Sequence, residues 1–97
     1  MTNRYPAFLV WLRADQSANL NCDKDKRCIT CPIAEFLNTQ GFPNAFVGTE
    51  VWCNKLGGSV ESLGPGLIRA RQIFDRARPQ PKTRGELLLL LMDVRNQ

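Results

Sequence analysis

Apolar side chains along this chain recur at helical spacing in several stretches and at strand spacing in one, and proline, glycine and asparagine punctuate the breaks. From Tyr5 to about Ala14, Phe8, Leu9, Trp11 and Leu12 fall on one side of a short amphipathic helix, with Pro6 tolerable in its first turn. Polar residues then take over from Asp15 to Thr30, where Asn19, Asn21, Asp23 and Asp25 supply turn chemistry. A loop of that length inside a small domain needs something to tie it down. Cys31-Pro32 starts a second helix, with proline at a position whose missing N–H costs nothing. Ile33, Phe36 and Leu37 share its apolar face, and Gly41 supplies a left-handed stop after residue 40.

Pro43-Asn44 marks a turn, after which Ala45-Phe46-Val47 and Glu50-Val51-Trp52-Cys53 read as a hairpin about Gly48-Thr49. That register sets Phe46 opposite Val51 and Asn44 opposite Cys53. Gly57-Gly58 lies in the turn that follows, and Val60 to Leu63 adds a short third strand. Pro65 opens a helix to about Ala77 whose stripe is Leu67, Ala70, Ile73, Phe74 and Ala77, leaving Arg69, Gln72, Asp75 and Arg76 outside it. Pro79 and Pro81 end it. Thr83-Arg84-Gly85-Glu86 matches a capping box for a last helix to about Val94. Leu87, Leu90, Leu91 and Val94 are expected to face the core. Leu88 and Met92 then point away from it and form a candidate protein interface. The pattern predicts an α+β fold: a single domain over residues 1–97, with about four short helices around a short antiparallel β-hairpin.

Composition excludes more than it supports. The 97 residues contain no histidine, which removes Ser-His, Cys-His and His-metal arrangements together. The carboxylates show no spacing that pairs two for acid–base work. Asp23 and Asp25 lack the downstream glycine and glutamate of a calcium loop, and Gly57-Gly58 and Gly64-Pro65-Gly66 lack the lysine of a phosphate loop. No enzyme is expected. The run Leu87 to Met92 is about a third of a membrane span, and residues 1–10 lack the pattern of a secretory leader, so the expected compartment is cytoplasmic.

Four cysteines, spaced C-x5-C-x2-C-x21-C, are the main candidate chemistry. Cys22, Cys28, Cys31 and Cys53 suit a structural zinc, whose tetrathiolate charge Lys24, Lys26 and Arg27 would offset. Buried thiols packed as small hydrophobes are the competing reading. An iron–sulfur site is disfavoured, because the first spacing is one residue longer than that of a plant-type ferredoxin. A thiol oxidoreductase using Cys28 and Cys31 would need a thiolate favoured by Arg27 and a helix start, but a polar loop precedes the pair instead of a strand.

The net charge of +4 is unevenly placed. Residues 66–85 hold Arg69, Arg71, Arg76, Arg78, Lys82 and Arg84 against the single acid Asp75, a candidate phosphate-binding segment. Arg69 and Arg76 fall together on the helical wheel while Arg71 and Arg78 flank the other edge of the stripe, so these arginines do not share one clean surface. Trp11 and Trp52 are expected in the core.

The run Cys31-Pro32-Ile33-Ala34-Glu35-Phe36-Leu37, with Gly41 and Val47-Gly48 after it, resembles small uncharacterised proteins of bacterial and phage genomes over about residues 28–52. The resemblance implies a mobile-element accessory protein. Taken together, the expectation is a non-enzymatic protein-interaction or regulatory protein, acting through a protein partner or self-association and zinc-stabilised. The alternatives are a nucleic-acid-binding module using residues 69–84 and a thiol oxidoreductase.

Overall fold

Local chemistry accounts for where each element begins and ends in the computed structural model, which describes residues 4–20, 31–54 and 59–95. Helix α1 (Tyr5–Ala14) carries Pro6 in its first turn and buries Phe8 and Leu12. Helix α2 (Pro32–Thr39) starts as the sequence implies: Cys31 is extended, and its Sγ accepts the Ala34 N–H at 3.4 Å in place of the usual hydroxyl cap. It stops at Gly41, whose φ of 98° is the left-handed conformation that glycine adopts without a Cβ penalty. Helix α3 (Gly64–Arg76) lies against α1 so closely that a Cβ on Gly66 would sit 2.5 Å from Cγ of Tyr5. Helix α4 (Arg84–Arg95) has the expected Thr83 cap, its Oγ1 accepting the Glu86 N–H at 3.2 Å. Glu86 departs from the standard box by reaching one residue further back, where it accepts the Lys82 N–H at 2.6 Å.

Strands β1 (Phe46–Val47), β2 (Val51–Cys53) and β3 (Val60–Ser62) form an antiparallel sheet in that order. The pairing differs from the expected register by two residues, with Phe46 opposite Cys53 and Val47 opposite Trp52. The reason is Gly48. Its N–H donates to the Val51 carbonyl at 2.7 Å, which keeps the glycine in the ladder and moves the turn on to Thr49 and Glu50. A shift of two preserves facing, so Val47 and Trp52 still point inward and are buried while Val51 stays exposed.

These elements share one core, an α+β arrangement in which Phe8, Leu12, Phe36, Leu37, Val47, Leu67 and Leu87 are fully enclosed. Phe8 meets Phe36 edge-on at 5.4 Å, and Trp11 packs half-buried beside both. Trp52 is buried as expected and meets Phe42 edge-on. Arg4 lies over the Phe42 and Trp52 rings and 3.9 Å from Glu61, fastening the start of α1 to the sheet. After α1 the chain turns and pairs with the approach to α4: Ala18 and Gln16 carbonyls accept the Arg84 and Gly85 N–H groups. Among the described residues no helix is long and apolar enough to cross a membrane. Gly57-Gly58 and the loop over 21–30 lie outside the described residues.

The α4 expectation needs correction. Leu88 is 5% exposed and packs in the core with Leu87 and Leu91, whereas Leu90 is half-buried; the outward residues are Leu89, at 68%, and Met92, at 42%. Two sides of α4 face the interior, because α1 and α3 both pack on it. Leu88→Ala should therefore lower unfolding stability by about 2 to 5 kcal/mol, whereas Leu89→Ala should change it by less than about 0.5 kcal/mol, in urea melts followed by circular dichroism.

Candidate anion-binding face

The basic segment divides by burial. On α3 Leu67, Ala70, Arg71 and Phe74 stand at i, i+3, i+4 and i+7, and all are buried, so an arginine fills a position of the core-facing stripe. Arg71 is 6% exposed and hydrogen-bonded there through Nε and Nη1. Its Nη1 donates to the carbonyls of Val47 and Gly48, each at 3.0 Å, and approaches Sγ of Cys31 at 3.8 Å. Its Nε donates to Asp75 at 3.3 Å, an ion pair one helical turn along. One side chain thus ties α3 to the end of β1 and to the cap of α2. Arg71 therefore leaves the candidate phosphate-binding set.

Arg84 leaves it too. Its guanidinium lies 3.9 Å from the centre of the Trp11 ring, and its Nε is buried without a hydrogen-bond partner, an arrangement held by ring contact and packing. What remains is Arg69, Arg76, Arg78 and Lys82, all exposed. Arg69, Gln72 and Arg76 form the outward stripe of α3. Arg78 follows at its end, with Nη1 donating to the carbonyls of Asp75 at 2.9 Å and Ala77 at 2.7 Å and so closing the helix terminus. Gln80 supports the same turn through the Phe74 carbonyl.

The electrostatic consequence comes from the pairing of Asp75. The only acid in this segment is turned toward the buried Arg71, and among the described residues no ion pair forms at Arg69, Arg76, Arg78 or Lys82. Positive charge on the outward face of α3 therefore carries no ion pair among the described residues. Such a surface attracts anions and loses that attraction as salt screens it.

The described cysteines are interior groups. Cys31 is 1% exposed, with Ala34 and Arg71 donating to its sulfur; Cys53 closes β2, buried but outside the contiguous apolar core. Among the described residues no group of three or more Cys, Asp or Glu side chains converges. Cys22 and Cys28, on which both the zinc and the redox expectations depend, lie outside the described residues. A cavity of about 10 Å³ beside Arg71, Phe74 and Leu87 has room for a water molecule and no larger ligand.

Sequence reasoning missed the burial of Arg71, and a signal for it existed: an arginine at i+4 in an apolar i, i+3, i+4, i+7 set, with an aspartate one turn later to pair it. No family model, curated protein or solved structure matches the chain. Arg71→Met should destabilise the fold by about 2 to 4 kcal/mol by leaving two carbonyls and Asp75 without their donor. Arg69→Gln should cost less than about 0.5 kcal/mol in the same thermal and urea unfolding measurements.

Proposed function

We propose that this chain is a non-enzymatic binding protein whose working surface is the outward face of α3, and that its partner is nucleic acid held through phosphate. The supporting observation is the sorting of one basic segment into an inward arginine that pairs with its only acid and outward arginines that form no ion pair among the described residues. Each phosphate neutralised by an arginine releases condensed counterions, and that release supplies most sequence-independent affinity. The absence of histidine and of any paired carboxylate spacing in the sequence argues against catalysis as the role of this surface.

Replacing both Arg69 and Arg76 by glutamine should reduce retention on immobilised sheared DNA at least about tenfold at low salt, with circular dichroism unchanged. Equal retention of the double variant, or preferential capture by an acidic polypeptide such as polyglutamate, would remove nucleic acid as the partner.

A second reading has its own observation. Leu89 and Met92 place apolar surface on α4 away from the core, which favours contact with a protein or a second copy of the chain. Under that reading light scattering of the wild type gives more than a monomer mass, and Leu89→Glu returns it to a monomer. A monomeric wild type removes the second copy and leaves only a different protein as the occupant.

A further inference from the structure

Beyond the reading of α3, we infer that the open edge of β3 pairs with an extended segment of a partner protein in which lysine or arginine alternates with apolar residues. No arginine of α3 takes part. Hydrogen-bond parity identifies the backbone groups this edge offers. The Leu63 N–H donates to the Glu50 carbonyl at 2.9 Å, and the ladder sets Ser62, Glu61 and Val60 against Val51, Trp52 and Cys53. Hydrogen-bonded and non-hydrogen-bonded positions alternate along an antiparallel pair, so Glu61 turns its N–H and C=O inward to Trp52. Val60 and Ser62 turn theirs to the open side. Among the described residues no hydrogen bond takes those groups up, and all three residues of β3 are exposed. The opposite edge is closed: α2 packs on β1, and Arg71 holds the Val47 carbonyl, which the same parity turns outward.

Side chains decide which strand fits. Phe46, Cys53 and Val60 stand opposite one another across the three strands, a row on the outer face that runs from half-buried through buried to 63% exposed at its open end. An apolar residue on an added strand continues that row. Edges are commonly blunted by proline, lysine or a bulge, and β3 has none of these; it has one charge, Glu61. Its contact with Arg4 is 3.9 Å long, beyond a hydrogen bond, so the exposed carboxylate keeps room for a cation across the ladder. A second copy of β3 cannot supply one. Antiparallel pairing matches outward-facing residues with each other, so full overlap sets Val60 against Ser62 and Glu61 directly against the Glu61 of the other copy. Like charges directly opposite are destabilising. Glu61 thus opposes self-pairing and favours a strand with a cation at that position, while main-chain bonds supply the affinity.

The test follows amide hydrogen exchange by NMR in the intact chain with three synthetic peptides of about six residues, an ordinary strand length. One alternates valine with lysine, one alternates valine with glutamate, and the third is the lysine peptide with its backbone nitrogens methylated. At about 1 mM the lysine peptide should slow exchange of the Val60 and Ser62 N–H groups at least about threefold, while the Glu61 N–H, already in the ladder, changes little. The glutamate and methylated peptides should give no slowing. Val60→Pro deletes an outward N–H that the ladder does not use and should weaken lysine-peptide binding at least about fivefold, read at Ser62, with circular dichroism unchanged. Glu61→Lys should reverse the choice, so that the glutamate peptide protects the edge. No slowing by the lysine peptide, or protection centred away from Val60 and Ser62, would overturn the inference. Equal protection by the glutamate peptide would overturn the basic occupant, and equal protection by the methylated one would overturn strand pairing. Each of these failures leaves the reading of α3 standing, since that is measured with DNA and with variants of Arg69 and Arg76.

Discussion

A guanidinium with nowhere to go but inward organises this molecule. Arg71 stands where the apolar stripe of α3 calls for a hydrophobic residue, and burying its charge without partners would cost several kcal/mol. The structure meets that demand by surrounding it with two carbonyls at the end of β1, the sulfur of Cys31 and the carboxylate of Asp75. Each partner belongs to a different piece of the fold or a different turn of the helix. Satisfying one arginine thus fixes how the hairpin, the start of α2 and the face of α3 sit relative to each other. The Gly48 carbonyl is one of those acceptors, so the same arginine also holds the residue whose N–H closes the hairpin ladder on Val51.

The surface inherits its character from that interior arrangement. Had Asp75 faced solvent among its arginine neighbours, the outward side of α3 would be a self-neutralised lattice of charges, a common and inert state for a helix surface. Because the aspartate pairs with the buried arginine, the outward cations form no ion pair among the described residues. Arg4 and Arg84 show the other use to which this protein puts its basic residues: both lie on aromatic rings, fastening the first helix to the sheet and to the last helix. Charge, packing and the availability of aromatic rings are therefore one coupled property here.

Much of the architecture was legible from spacing alone. Periodicity located the helices, Pro6, Pro32 and Gly41 marked ends that the coordinates respect, and Thr83 with Glu86 announced the last helix. What was not legible depends on long-range partners. The hairpin register is set by the Gly48 N–H on the Val51 carbonyl, and the Gly48 carbonyl in turn is held by Arg71, 23 positions away. Leu88 looked outward because a single-sided helix was assumed for α4, and contact with both α1 and α3 makes two of its sides interior. Among the candidate basic residues, composition marks the segment as dense in positive charge but could not divide it, since burial of Arg71 and the stacking of Arg84 are decided by groups far away in sequence. The cysteine expectation has the same dependence on distant partners, with Cys31 and Cys53 located and Cys22 and Cys28 outside the described residues.

The most direct test of this account follows the arginine side chains themselves. In a nitrogen-15 NMR titration with duplex DNA, the Nε–H signals of Arg69 and Arg76 and the amides of α3 between them should shift first, while the Arg71 Nε–H stays in place and exchanges slowly with solvent. Early perturbation of Arg71, or shifts centred on Leu89 and Met92 with α3 unmoved, would contradict it.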